Sequence, residues 1–233
     1  MVGILDKFKN KNNREKEDVK IETINDTEKE GEDSLSGWNA IEEACLKLYP
    51  RQTDPKHYGT LIPWSLGGND PLDGISIYDG GDYYHFVTFG LSELYEKESE
   101  NKEYSGYGFE LTVKLKKDGL DDDETAIMGM CGILQAIARM TFNEGDIFQP
   151  HEYLYTGQTT GIDPQGKSQL TGFITTLDEL GEIQTPNGKL QFVELTGAAD
   201  NELKAVMDKK INVEGLYEKL GSDYTDYNRQ SLF

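Results

Sequence analysis

The chain has only two cysteines and three histidines among 233 residues, which excludes several common kinds of site. Cys45 and Cys131 lie in apolar helical patterns without a CxxC partner, so the sequence predicts buried free thiols rather than a disulfide framework or a metal site. His57, His85 and His151 are isolated, without the HExxH or HxH spacing of metal-binding motifs. We therefore expect neither a metal nor a cofactor.

The chain also lacks a long hydrophobic run. The opening residues 1–8 are too short an apolar stretch for a signal peptide or a membrane anchor, and Asp6 and Lys7 interrupt them. The longest apolar pattern, residues 126–140, is shorter than the roughly 20 residues that a membrane span requires. These features predict a cytoplasmic protein without a membrane partner.

Positive charge is scarce, since 23 Lys and Arg stand against 43 Asp and Glu and give a formal net charge of −20. Such a surface repels phosphate groups, so nucleic acid is not expected as a partner. High acidity often serves only solubility. It also suits a basic protein partner, and both interpretations stay open.

Residues 1–36 form a charged leader that is rich in Lys, Glu, Asp and Asn and nearly free of aromatics. Because this composition buries too little apolar surface to offset the entropy of ordering, the leader is predicted to be disordered. Residues 2–8 have the pattern of a brief amphipathic turn, although a frayed terminus is the simpler interpretation. Globular patterning begins at Gly37, so residues 37–233 are predicted to form one domain.

Hydrophobic periodicity predicts the secondary structure of this domain. Apolar residues at helical spacing predict helices at residues 37–49, 126–140, 201–210 and 213–220. Runs of β-branched and aromatic residues predict strands at residues 58–64, 75–78, 83–91, 109–115, 171–176 and 189–195. The helix at 126–140 is apolar on almost every side and is expected to be a buried central helix. The predicted fold class is α+β, with a mixed, largely antiparallel sheet packed with helices.

Catalytic patterns are weak. Ser92 lies in a sequence (GLSEL) one residue short of a nucleophile elbow, but Leu94 replaces the second glycine that the sharp turn requires. His85 stands in an aromatic strand, where a hydrogen-bonded structural imidazole explains it, and His151 is isolated. A hydrolase using Ser92 with His85 or His151 and a nearby carboxylate requires that these groups converge in one pocket. It stays an alternative to a binding protein.

The segment GGNDPLD, residues 67–73, has the composition of a rigid turn between two strands. Gly67 and Gly68 permit positive φ, and Pro71 fixes φ. Glu110 stands within the apolar start of a predicted strand, where it is either solvated or a buried carboxylate paired near the same loop. For both segments a structural role and a direct contact with a partner stay open.

Five segments resemble the Suppressor of fused family in their order and spacing: residues 44–52 (ACLKLYPRQ), 67–73 (GGNDPLD), 89–95 (FGLSELY), 106–115 (GYGFELTVKL) and 184–188 (QTPNG). The resemblance implies one α/β domain from about Gly37 onward. Multidomain members of the family add a second domain and clamp a transcription-factor peptide between the two as an added strand. This chain ends in a sequence similar to the end of the family's N-terminal domain, so that clamp is not expected here.

Single-domain bacterial members of the family resemble immunity proteins that bind and silence a partner toxin. The resemblance implies a cytoplasmic immunity protein, or antitoxin, that neutralises a cognate toxin domain, typically a basic nuclease, without catalysis. The contact residues that we predict are Asp70, Asp73, Glu93 and Tyr95, at strand ends or turns beside the recognisable segments. The alternative is an interaction scaffold that sequesters another cytoplasmic protein.

Overall fold

The structure is a computed structural model and describes residues 35–233. Nearly all of the predicted leader lies outside the described residues. Within them the helices are α1 (Ser36–Leu48), α2 (Asp123–Glu144), α3 (Asp200–Met207) and α4 (Val213–Leu220). The strands are β1 (Lys56–Gly59), β2 (Gly74–Asp79), β3 (Tyr83–Phe89), β4 (Tyr104–Lys116), β5 (Tyr153–Tyr155), β6 (Leu170–Thr185), β7 (Gly188–Ala199) and β8 (Tyr224–Thr225).

The strands form one sheet with the order β1-β2-β3-β4-β7-β6-β5, and β8 pairs with β4. Strand β4 is parallel to β7 and to β8, while the remaining pairs are antiparallel. The predicted α+β fold with a mixed, largely antiparallel sheet is therefore confirmed. Strand β1 is shorter than the strand predicted at residues 58–64, because pairing with β2 ends at Gly59 and the chain leaves the sheet.

Helix α2 covers one face of the sheet and forms the largest core cluster with it. The cluster includes Ile127, Met130, Leu134, Phe86, Phe109, Leu111 and Val193. Asp122 caps the helix by accepting a 2.8 Å hydrogen bond from the Thr125 N–H, and Gly145 ends it with φ 80°. The side of α2 that faces away from the sheet is open to solvent at Met128.

The 22 residues of α2 extend beyond the predicted 126–140, because the cap and the terminating glycine lie outside the apolar stretch. Among the described residues it is the one helix long and apolar enough to cross a membrane. The argument that it is too short for a span is therefore wrong. Its apolar side chains pack on the sheet.

Helices α1, α3 and α4 lie on the other face. Helix α1 packs on the centre of the sheet through Ile41 and Cys45, and α3 and α4 pack on β6 and β7. Cys45 and Cys131 are both buried and free, as predicted, and burial raises the pKa of both thiols to about 12.

Candidate functional site

A groove opens between the β1–β2 loop, residues 60–73, and the β3–β4 loop, residues 90–103. Its lining includes Trp64, Pro71, Asp73, Glu93, Tyr95, Glu96, Glu98, Tyr107 and Phe142. Phe142, near the end of α2, packs edge-on against Trp64 and Tyr107, with ring centroids 5.6 Å and 5.3 Å away. Three recognisable segments, GGNDPLD, FGLSELY and GYGFEL, thus meet at one surface, which we call the groove.

Glu110 on β4 is completely buried and holds the start of the β3–β4 loop. Its carboxylate accepts hydrogen bonds from the Thr88 hydroxyl (2.6 Å), the Gly90 N–H (3.0 Å), the Ser92 N–H (2.9 Å) and the Ser92 hydroxyl (2.6 Å). Burial raises the pKa of Glu110 to about 7, although these donors act to lower it. Of the two interpretations left open by the sequence, the buried one is correct, and the partners are hydrogen-bond donors rather than a cation.

Glu93 organises the rest of the same loop. Its carboxylate accepts from the Lys97 ammonium (2.6 Å) and from the N–H groups of Glu98 (2.8 Å), Ser99 (2.6 Å) and Gly106 (3.0 Å). Burial alone would raise the pKa of Glu93, but these donors outweigh it and hold the pKa at about 2. The Glu93 carboxylate therefore has a structural role, because its oxygens are occupied by donors of the loop.

The GGNDPLD segment is anchored to α2. Asp70 forms a 2.7 Å ion pair with Arg139. The Leu72 N–H donates to Gln135 Oε1 (3.1 Å), and Gln135 Nε2 donates to the Leu72 carbonyl (3.2 Å). In the sequence Gln135 and Arg139 only interrupt an apolar helix, whereas in the structure they fix one wall of the groove.

Gly67 and Gly68 serve this loop in different ways. Gly67 has φ 86° and ends a 3-10 turn, Trp64–Leu66. The expectation of positive φ at both glycines is wrong for Gly68, which is absent from the positive-φ residues of the described chain. At position 68 the close approach of the Ile62 backbone requires a glycine, because a Cβ there would lie 1.9 Å from the Ile62 carbonyl oxygen.

We expect Gly68→Ala to lower the free energy of unfolding by about 1–3 kcal/mol, because the loop must move to relieve this contact. The matched control is Gly132→Ala in α2, where a Cβ would meet no atom within 4 Å. The control should be neutral or stabilising by up to about 1 kcal/mol. Urea titrations that give equal midpoints for the two variants would contradict the close contact.

The β6–β7 hairpin and the start of α1 hold the back of the β3–β4 loop. Asn187, in the QTPNG segment, donates from Nδ2 to the carbonyls of Glu93 (2.8 Å) and Tyr95 (3.2 Å). The Ser36 hydroxyl donates to the same Tyr95 carbonyl (3.2 Å), and the Trp38 N–H donates to the Leu94 carbonyl (2.9 Å). The described chain therefore begins directly beside the groove.

The four predicted contact residues lie together, since Asp73, Glu93 and Tyr95 line the groove and Asp70 belongs to one of its loops. Tyr95 is the best exposed at 47%, whereas Asp70 and Glu93 are held by the contacts described above. Burial raises the pKa of Asp73, and a hydrogen bond with the Tyr95 side chain partly offsets this rise. Contact with a partner stays a prediction for all four.

Sequence reasoning missed the most exposed apolar residues of this surface. Leu61, Ile62 and Leu66 are 98%, 57% and 77% exposed. They belong to the β1–β2 loop, whose Trp64 and Ser65 line the groove, and the β3–β4 loop on the other side of the groove carries the exposed carboxylates Glu96 and Glu98. The sequence predicted one strand over residues 58–64 and did not indicate that its apolar residues are exposed. An apolar cluster flanked by charge of one sign is typical of protein-binding surfaces.

The three groups of the hydrolase alternative do not converge. The Ser92 hydroxyl donates to Glu110 at 2.6 Å. His85 is completely buried, with Nδ1 2.8 Å from the Tyr49 hydroxyl and Nε2 3.1 Å from an Asp178 oxygen. His151 is exposed and pairs with an acidic side chain of α4. In residues 35–233 there is also no cluster of three or more potential metal ligands.

A buried charged cluster lies beside His85, on the face of the sheet that α1, α3 and α4 cover. The Lys114 ammonium is 2.7 Å from Asp223, 3.4 Å from Glu194 and 3.9 Å from Asp178. Burial lowers the pKa of Lys114, but the carboxylates outweigh it and raise the pKa overall. Burial and the nearby Asp178 raise the pKa of Glu194 well above its ordinary value. The cluster ties the segment containing β8 to the centre of the sheet.

The family model described as Suppressor of fused protein (SUFU) matches residues 68–230, which is more than half of the chain. The chain belongs to the Suppressor of fused family. The matched part contains the β3–β4 loop, the end of the β1–β2 loop from residue 68, the Glu110 site and the charged cluster around Lys114.

Individual relatives agree with this assignment. Suppressor of fused homolog of Homo sapiens is 28% identical over 201 residues, covering 79% of this chain and 40% of the relative. The Mus musculus homolog is 27% identical with the same coverage. This Suppressor of fused domain therefore spans about two fifths of the length of those relatives.

Solved structures agree with the fold. The Sufu–Fu complex crystal structure matches with a TM-score of 0.73 and 28% identity, covering 84% of this chain and 92% of the matched chain. Drosophila Suppressor of Fused matches with the same TM-score and identity, covering 84% of this chain and 51% of the matched chain. The first of these structures contains Sufu together with a protein partner, Fu.

Proposed function

We propose that this Suppressor of fused domain is an immunity protein that binds a basic toxin domain through the groove and neutralises it without catalysis. The observation that carries the proposal is the character of the two loops that border the groove. The β1–β2 loop carries the exposed apolar residues Leu61, Ile62 and Leu66, and the β3–β4 loop carries the exposed carboxylates Glu96 and Glu98. Apolar contacts would supply most of the affinity, and the carboxylates would attract a cationic partner.

Two further observations support a binding role. The net charge of −20 extends the attraction beyond the groove, since long-range fields raise association rates with oppositely charged proteins. Within the recognisable segments, the carboxylates of Glu93 and Glu110 accept hydrogen bonds from the β3–β4 loop and fix its two halves. A groove with rigid walls loses little conformational entropy when it binds a partner.

The proposed cellular setting is the cytoplasm, where a toxin would meet its immunity protein before reaching its target. In this role the domain would block the active site or substrate surface of the toxin, which for a nuclease is itself cationic. Acidic side chains around the groove would then replace the phosphates of the substrate.

The test is coexpression with a candidate toxin, the product of a reading frame adjacent to that of this chain, with cell growth and complex formation as readouts. The wild type should protect the cells and copurify with the toxin, whereas Glu96→Lys/Glu98→Lys should lose protection. The matched control, Glu214→Lys/Glu218→Lys, reverses two exposed charges on α4 and should still protect. These sites suit the test better than Asp70 and Glu93, whose reversal would break structural contacts.

Two outcomes would contradict the proposal in different ways. Full protection by Glu96→Lys/Glu98→Lys would show that the groove is not the toxin-binding interface. Absence of any complex between the wild type and the candidate toxin would remove the immunity function itself.

A scaffold that sequesters another cytoplasmic protein is the second candidate. The Sufu–Fu complex favours it, because that structure shows a relative bound to a protein partner. Recovery from cells of a partner that is not a toxin would favour the scaffold function, provided that its binding requires Glu96 and Glu98.

A further inference from the structure

The chain beyond the described residues has a charge pattern that complements the groove. Residues 1–14 contain four basic side chains (Lys7, Lys9, Lys11 and Arg14) and one acidic side chain, Asp6. Residues 15–34 contain nine acidic and three basic side chains. The strongly acidic chain therefore carries a cationic segment at its start, and that segment also contains the apolar residues Val2, Ile4, Leu5 and Phe8.

The described chain begins at the edge of the groove. The Ser36 hydroxyl donates to the Tyr95 carbonyl, and Tyr95 lines the groove. Residues 15–34 separate the cationic segment from this point, and a flexible chain of 20 residues has an average span of about 25 Å. The segment can therefore reach the groove of its own chain, at an effective concentration on the order of millimolar.

We infer that residues 2–11 dock in cis on the groove, with Ile4, Leu5 and Phe8 against the apolar β1–β2 loop and the lysines beside the carboxylates of the β3–β4 loop. Leu61 and Leu66 are the most exposed apolar side chains of the β1–β2 loop, so covering them would remove the most apolar surface from water. The segment combines apolar and basic residues, which complement the apolar side chains and the carboxylates of the two loops that border the groove. A second copy of the chain and an unrelated protein are the other possible occupants, and the effective concentration favours the segment of the same chain.

Docking in cis has a consequence for partner binding. A partner that uses the groove must displace the segment, so its apparent affinity falls by the fraction of molecules in which the groove is open. The docking itself does not depend on the proposed function, whereas its role as a regulator of toxin binding rests on it.

The experiment is site-specific photo-crosslinking in the full chain, with benzoylphenylalanine replacing Phe8. Illumination should give a product of monomer mass, independent of protein concentration, with crosslinks to residues 61–66 or 95–98. In the same background, Ile4→Ser/Leu5→Ser should reduce the yield by at least about fivefold, because the remaining contacts cannot hold the segment at this effective concentration. The matched control is Val19→Ser/Ile21→Ser, in the other part of the leader, and should leave the yield unchanged.

Three results would overturn the inference: a product of dimer mass, crosslinks spread over surfaces outside the groove, or equal yields from the Ile4→Ser/Leu5→Ser variant and its control. Intrachain crosslinks to the groove in a protein that binds no toxin would support the docking and contradict only the proposed function. The two claims are thus tested separately.

Discussion

Lys114→Met is expected to lower the free energy of unfolding by about 3–5 kcal/mol at neutral pH, a large part of the stability of an ordinary domain. Methionine keeps much of the volume of lysine, but Asp178, Glu194 and Asp223 then lose the cation that they share in the interior. A urea titration at pH 7 measures the effect.

Lys116→Met is the matched control, two residues further along β4. Within residues 35–233 Lys116 pairs only with Asp226, at 2.9 Å, and both side chains are partly exposed. Its loss should cost less than about 1 kcal/mol. If both variants lose the same free energy of unfolding, the ion pairs around Lys114 contribute no more to stability than an exposed pair does.

The pH dependence of Lys114→Met follows from the same charges. The pKa of Lys114 is raised above its ordinary value of 10.5, so its contribution in the wild type is fully present below that pH and is lost only as the pH rises through the higher folded value. In the variant, the cost should shrink as the pH falls toward 4, because the unpaired carboxylates take up protons.

Glu110→Ala is expected to lower the free energy of unfolding by about 3–5 kcal/mol at pH 5, because the donors of Thr88, Gly90 and Ser92 lose their acceptor inside the protein. Glu110→Gln should cost only about 1–2 kcal/mol at pH 5, since the amide oxygen can still accept from Gly90 and Ser92. Glu103→Ala, at an exposed position before β4, is the control and should change stability by less than about 0.5 kcal/mol.

The cost of Glu110→Gln should fall as the pH rises. The folded pKa of Glu110, about 7, lies above its ordinary value of 4.5, so folding favours the protonated form. The contribution of this group is therefore present at low pH and lost between about pH 4.5 and 7, by about 3 kcal/mol. Denaturation at a series of pH values measures this difference, and a cost that increases with pH would show that the four donors outweigh burial.

Local sequence rules located the four helices and most strands, but the short strands β5 and β8 were not predicted. Helix α4 matches its prediction, because Asn212 caps its start, with its side chain accepting from the Gly215 N–H, and Gly221 ends it with φ 66°. The strand predicted at residues 58–64 failed for a different reason. Its apolar residues Leu61 and Ile62 are exposed, and exposure depends on what the rest of the chain covers.

The groove was only partly predictable. The recognisable segments indicated where it lies, and the predicted residues Asp73, Glu93 and Tyr95 line it. The sequence could not show that Glu93 and Glu110 are structural carboxylates, because their donors come from loop residues whose positions are fixed by tertiary packing. It also could not show that Gln135 and Arg139, on a helix distant in sequence, fix the GGNDPLD loop.

The central claim is that this Suppressor of fused domain binds a cationic protein through the groove. Its most direct test is the association rate with the basic domain of a candidate toxin from an adjacent reading frame, measured by stopped flow at low and at physiological salt. For the wild type and for the α4 control Glu214→Lys/Glu218→Lys, the rate should fall by about tenfold or more as salt screens the attraction, with a much smaller change in the dissociation rate. For Glu96→Lys/Glu98→Lys, the rate at low salt should be slower than that of the control and should fall less as salt rises, because the attraction near the groove is lost while the net charge stays strongly negative. Equal association rates and equal salt dependence for the groove variant and the control would contradict the claim.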